Sequence, residues 1–400
     1  MSLLAQCGFG RGEKIHRGLF EGSLGGVILS PRDEARPRLE NCAAELRASH
    51  EEAEILFDPQ FYAATLRAPR DGHLPEYDYY NNNSSLSRTQ FGPRHIQRYV
   101  TECLDYQYGL GSLSYLISPS VLFEDFRDSW SQIALTMAEA AIDRYAELDD
   151  APPLLISVVT SEAALRNPTG MNEFLDALSS LEVEGFYLLV ARTSGSYRPA
   201  MDAVSMENLL YFVHVLGALN QYHVKVGFTD WFGFILEAAG AASTACGWHQ
   251  GLKQFSMARY QPASGGRRPR KRYSSRPLLS SVLITPELED IFLVDRLPRV
   301  LSGSPHDEIL TDGPAAGEGA WSDQISCLAH WWSLNGLSQG LAGIRRIPQK
   351  LDRVAELIDS AQALYSRLIA RGVNFEIPTG TEHLESWSEA IRGFRTEAGV

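Results

Sequence analysis

The chain has 400 residues, 44% hydrophobic and 21% charged, with a formal net charge of −13. That is the composition of a globular protein, and an acidic surface disfavours nonspecific attachment to nucleic acid or an anionic membrane. The five cysteines, Cys7, Cys42, Cys103, Cys246 and Cys327, are widely spaced with no CxxC pair; this argues against a disulfide framework or a cysteine-based zinc site and for a reducing, cytoplasmic location.

In chain order, residues 1–20 read as a lead-in without the apolar core of a signal peptide. The first predicted strand is 25–30 (GGVILS), and a helix over 36–52 follows, with Leu39, Cys42, Ala43 and Leu46 at helical spacing. The second strand, 53–58 (AEILFD), leads into a long loop over 66–92 that holds Tyr77, Tyr79, Tyr80 and three consecutive asparagines, Asn81, Asn82 and Asn83. Loops of this length in a compact domain are usually functional or disordered, so it reads either as a substrate flap or as a surface insertion. Strand 112–118 precedes an amphipathic helix over 124–148. Strand 153–159 precedes a turn at Asn167, Pro168, Thr169 and Gly170 that opens a helix over 171–181. Strands 183–190 and 223–228 are followed by helices 201–221 and 231–239, the latter stopped by Gly240. The seventh and eighth predicted strands are 241–246 and 279–285, separated by a basic segment, PASGGRRPRKRYSSRP, over 262–277.

Beyond residue 285 the pattern is helical, with pieces at 287–294, 321–341 and 349–371 around a Gly/Pro/Ser-rich loop at 302–319. The stripe Leu351, Val354, Leu357, Ile358, Ala361, Leu364, Tyr365 and Leu368 is expected to pack on the rest of the chain, or else to form a homodimer interface. The longest apolar run, 209–219, contains His214 and is too short to span a bilayer.

Eight apolar strands alternating with helices predict an α/β fold, a (β/α)8 TIM barrel over residues 1–300, with a helical C-terminal extension over 301–400. Such a barrel gathers its chemistry in the loops after the strand C-termini, although the fold itself does not select a reaction. The strand ends supply Ser30, Arg32 and Asp33; Asp58, Gln60 and Tyr62; Ser118 and Ser120; Thr160 and Glu162; Arg192; Asp230; and Trp248, His249 and Lys253. A carboxylate that ends a buried apolar strand, as Asp58 does, costs energy unless it has a partner, and that cost is often tolerated at a site. An Asp-Pro turn accounts for it equally simply. Asp230 opens a helix, where Asp is a preferred N-cap, and is equally a candidate catalytic group. Arg192 suits a carboxylate or phosphate, and His249 suits acid–base work. Gln60 and Tyr62 are placed to recognise a planar polar ligand. Arg267, Arg268, Arg270, Lys271 and Arg272 form a concentrated positive stretch, either a solvated loop or a contact for phosphates of a nucleic acid.

No HxH pair or Walker loop occurs, and no GxSxG or GxGxxG follows a strand, so neither a metal nor a cofactor is expected. The run GFTDWFGFILEAAGAASTACG (residues 227–247) resembles part of the tRNA-guanine transglycosylase family, a (β/α)8 barrel that exchanges a base in RNA through an aspartate nucleophile. The resemblance implies Asp230 as nucleophile, Asp58 with Gln60 as the groups that recognise a purine-like base, and Gly247 as a point of close ligand approach. It covers about twenty residues, and the family's cysteine-rich zinc motif is absent.

The expected function is therefore an enzyme acting on a nucleoside-like or small polar ligand in the barrel mouth, by base exchange or N-glycosidic cleavage. Two alternatives stand beside it: a non-catalytic ligand sensor or assembly subunit, and a cofactor-independent hydrolase or lyase using Glu162, Asp230 and His249.

Overall fold

The structure, a computed structural model, describes residues 2–80, 85–193, 201–261, 269–295 and 297–400. Its centre is a nearly closed barrel of eight parallel strands: β1 (Ser2–Gln6), β2 (Gly26–Leu29), β3 (Glu54–Phe57), β4 (Leu116–Ile117), β5 (Leu154–Ser161), β6 (Gly185–Ala191), β7 (His223–Val226) and β8 (Ser243–Cys246). They neighbour one another in the order β3-β2-β1-β8-β7-β6-β5-β4. The remaining seam, between β3 and β4, is bridged by Ser114. Its N–H donates to the Ile55 carbonyl (2.8 Å), and the Ile55 N–H donates back to its hydroxyl (3.0 Å). A short strand, Leu122–Phe123, pairs with the upper half of β5.

The TIM-barrel architecture agrees with the sequence reading, but two strand assignments change. Ser2–Gln6, read as lead-in, is a barrel strand that pairs with β2 (Leu4 opposite Gly26) and β8 (Leu4 opposite Ala245). Residues 279–285, read as the eighth barrel strand, instead contain β10 (Ser280–Leu283), which pairs antiparallel with β9 (Arg272–Ser275) outside the barrel. Residues 3–6 and Ser280–Leu283 are each buried on both faces, so an apolar run alone does not tell a barrel strand from a ribbon covered by helices. The strand ends named above thus lie one position later in the barrel order.

Parallel partners share a face of the sheet, and the register fixes what points inward. Gln6, Ile28 and Leu56 are laterally matched, as are Ser157, Tyr187, Lys225 and Ser243. Low in the lumen, the Lys225 ammonium bonds to Glu54 (2.5 Å) and lies 4.6 Å from the Tyr115 ring centroid. Asp58, two residues beyond Leu56, therefore faces the lumen at the upper end.

The helices Asp323–Ala342, Ile347–Ala370 and Glu382–Ala398 pack on one side of the barrel. The stripe Leu351, Val354, Ile358, Ala361, Leu364, Tyr365 and Leu368 is buried within the chain, which accounts for its pattern without a second copy. The loop over 66–92 is anchored rather than free where it is described. Tyr77, Tyr79 and Tyr80 are buried, Tyr77 and Tyr79 pack against Phe57 and Tyr106, and the Tyr79 hydroxyl donates to the Pro59 carbonyl (2.9 Å). Asn81, Asn82 and Asn83 fall outside the described residues. No helix of the described residues is long and apolar enough to cross a membrane.

Candidate active site at the barrel mouth

Asp58 sits at the centre of the mouth, 1% exposed. One carboxylate oxygen accepts the Gln60 N–H (3.1 Å); the other accepts the Tyr62 hydroxyl (3.0 Å) and, from β6 across the lumen, the Tyr187 hydroxyl (3.4 Å). The Tyr260 hydroxyl lies 3.3 Å from that of Tyr62, extending the chain of hydroxyls toward the rim. Loss of water outweighs these donors: burial raises the Asp58 carboxyl to about 6, against the lowering effects of Gln60, Tyr62, Arg259 and Tyr187. A carboxyl that titrates near neutrality inside a barrel mouth is suited to proton transfer.

Two arginines and a second aspartate complete the mouth. Asp33 pairs with Arg32 (2.9 Å) and with Arg259, and accepts the Ser30 hydroxyl (2.6 Å). Arg32 also donates to the Arg259 carbonyl (2.9 Å), and its guanidinium lies 5.2 Å from the Tyr260 ring centroid. The second terminal nitrogen of Arg259, Nη1, is buried without a hydrogen-bond partner among the described residues. Deeper in the lumen, the Gln6 amide approaches the Tyr187 hydroxyl closely enough to oppose the rise that burial imposes on that group's ionisation, although among the described residues neither its Oε1 nor its Nε2 meets a partner in full hydrogen-bond geometry. Buried polar groups are nearly always partnered, so the weakly engaged Gln6 amide and the Arg259 Nη1 are the polar atoms of the mouth with hydrogen-bonding capacity left over.

Gln60 is buried in this network, but its amide is engaged by the chain, with Ser30 at 3.0 Å and the Arg32 N–H at 3.2 Å. It shapes the mouth, and Gln6 is the amide with the weaker engagement. Backbone strain gathers here as well. Gln60, Phe228 and Asp230 adopt φ of 54°, 57° and 45°, a left-handed region that non-glycine residues avoid and that often marks functional sites.

Asp230 turns away from this network. Cys246, the last residue of β8, faces outward toward the helix Asp323–Ala342, and Asp230 joins it there. The Asp230 carboxylate is 2.9 Å from Nε2 of His330 and 3.9 Å from the Cys246 sulfur, which is 3.5 Å from the same His330 nitrogen. Nδ1 of His330 meets the Ser274 hydroxyl (2.8 Å), and the Trp331 indole N–H donates to the Cys246 carbonyl (2.8 Å). Burial raises the Asp230 carboxyl, but Lys253 and His330 more than offset this and hold it below its ordinary value; burial also drives His330 down to about 4. Among the described residues, Asp230 and Asp58 share no hydrogen-bond partner.

The other candidates are dispersed. Glu162 accepts from Arg192 (3.2 Å) and from the N–H and hydroxyl of Thr193 (3.1 Å each), a pair that braces the end of β6. Ser118 accepts the Ser157 N–H (2.9 Å), and Ser120 and Thr160 are buried. Trp248 donates to the Phe9 carbonyl (3.0 Å) and, with exposed His249, lies on the rim beyond β8. A Cβ on Gly247 would lie 2.3 Å from Cβ of Leu252 and 2.6 Å from the Gln6 carbonyl, so chain atoms fill the space that the family resemblance assigns to a ligand. Of the basic segment, Arg270 pairs with Glu376, Lys271 donates to the Glu318 carbonyl and Arg272 donates to the Ser281 carbonyl (2.9 Å). Arg267 and Arg268 lie outside the described residues. Sequence reading missed Gln6, Tyr187, Arg259 and Tyr260 in the mouth, and Cys246 and His330 in the second cluster.

Among known proteins, no family model matches the chain, and no curated protein matches it in sequence.

Proposed function

We propose that the protein is an enzyme that binds a nucleoside-like ligand, or another small planar polar ligand, in the barrel mouth and cleaves or exchanges an N-glycosidic bond. The observation that carries this reading is Asp58, a buried carboxyl raised to about 6 and set among Tyr62, Tyr187 and the buried, weakly engaged amide of Gln6. An amide offering one donor and one acceptor is complementary to the edge of a nucleobase. The free N–H of Arg259 suits a carbonyl or phosphate oxygen of the same ligand.

In this mechanism protonated Asp58 delivers its proton to a nitrogen of the leaving base as the glycosidic C–N bond breaks, its electron pair going to the base. Water, or an incoming base in an exchange, then bonds to the anomeric carbon. The proton lost by that nucleophile returns to the Asp58 carboxylate and completes the cycle. Asp230, engaged by His330 and Cys246, plays no part in these steps.

The test is an assay of base release from a panel of nucleosides and nucleotides. Asp58→Asn is expected to lower the rate roughly 100-fold or more, the range for loss of a general acid, with the thermal midpoint of the folded protein retained. A folded Asp58→Asn variant with undiminished turnover would overturn the reading.

A further inference from the structure

We infer that Asp230, Cys246 and His330 form a zinc site that fastens the ends of β7 and β8 to the helix Asp323–Ala342, independently of any reaction in the mouth. The three ligand atoms lie within 4.8 Å of one another. Tetrahedral zinc, with bonds of about 2.0 Å to nitrogen and oxygen and about 2.3 Å to sulfur, would hold such atoms roughly 3.3 to 3.6 Å apart. The observed separations, 2.9, 3.5 and 3.9 Å, reach that geometry with shifts of a few tenths of an ångström.

The donor set fits the ion. One imidazole, one thiolate and one carboxylate make the mixed nitrogen, sulfur and oxygen environment that zinc accepts. The Ser274 hydroxyl lies 2.8 Å from Nδ1 on the far side of the ring, where it can accept the Nδ1–H and so leave Nε2 free to bind a metal. Cys246 and His330 are buried, and Asp230 retains limited exposure, which leaves a way in. When zinc binds, the Cys246 thiol proton leaves to solvent and the sulfur bonds to the metal. The two anionic ligands then neutralise the ion's charge, with Lys253 beside the group. Three protein ligands would leave one position of a tetrahedral ion open.

The full chain, stripped with a chelator and titrated with Co2+, tests this. The expected result is one Co2+ per chain, with a thiolate-to-cobalt charge-transfer band and the visible bands of a tetrahedral ion, both removed by added Zn2+. The charge-transfer band should vanish in Cys246→Ser and persist in Cys42→Ser. Ser274→Ala should weaken binding roughly tenfold. Should Cys246→Ser not fold, the near-isosteric Asp230→Asn variant serves and should bind at least about tenfold more weakly. Absence of a thiolate–cobalt band in the folded wild type, its persistence in Cys246→Ser, or undiminished binding by Asp230→Asn would overturn the inference.

Discussion

Asp58 shows how burial and hydrogen bonding contend at a single carboxyl. Three donors reach its oxygens, yet removal from water raises its ionisation to about 6. A general acid acts only while protonated, so turnover should fall as pH rises through about 6, and the falling limb of the pH–rate profile checks this. Glu237 provides a comparison away from the mouth. It is fully buried on the helix Gly233–Ala239, accepts the Thr244 hydroxyl (2.8 Å), and burial raises it to about 7 from an ordinary 4.5. The folded state thus holds the Glu237 proton more tightly than the unfolded chain does. The resulting stability is complete below about pH 4.5 and is lost as pH rises through about 7. Glu237→Gln should therefore raise stability at pH 8 by on the order of 1–3 kcal/mol and change little at pH 4, as read by denaturant melts at the two pH values.

At the scale of elements, the barrel depends on small features of its strands. Ser114 bridges the β3–β4 seam, where no regular ladder forms. Ser114→Ala leaves the Ile55 N–H unpaired and should cost about 1–3 kcal/mol in a denaturant melt. Gly227, just past β7, lies beneath the mouth. A Cβ there would come within 2.6 Å of Leu189 and 2.9 Å of the Tyr187 hydroxyl. Gly227→Ala should therefore destabilise the protein by about 1–3 kcal/mol and displace Tyr187 from Asp58; chemical denaturation measures the first effect and a shifted pH–rate profile the second. Seven of the eight barrel strands were legible in the sequence because parallel strands covered on both faces are continuous apolar runs. The same signal failed at residues 279–285, where helices rather than a barrel bury the run. It also passed over the short run Leu3, Leu4 and Ala5, which has no turn before it. With β1 went Gln6, whose inward position follows only from its register with Ile28.

At the scale of the whole molecule, the C-terminal helices are part of how the barrel holds together. The helix Asp323–Ala342 supplies His330 to Asp230 and Trp331 to the Cys246 carbonyl. The apolar stripe of Ile347–Ala370 is buried within the same continuous core. Barrel and helices should therefore unfold together: calorimetry should show a single transition, and two well-separated transitions would contradict this coupling. The site was legible only in part for the same reason. Strand ends located Asp58, Asp230, Gln60 and Tyr62, but no local pattern says which way a side chain turns. Asp58 faces the lumen, whereas Asp230 faces a helix one hundred residues later in the chain. A search for paired histidines along one strand likewise could not reveal a cluster assembled from two strand ends and a distant helix.

The central claim is that the mouth around Gln6, Asp58 and Arg259 recognises a nucleoside-like ligand, and equilibrium calorimetry tests it most directly. Free nucleobases, nucleosides and nucleotides would be titrated into the wild type, Gln6→Leu and Asp58→Asn at pH 6. The account predicts that at least one of them binds the wild type and binds Gln6→Leu at least about tenfold more weakly, the loss expected when a recognising amide is removed. Binding by no member of the panel, or binding that both substitutions leave unchanged, would contradict it.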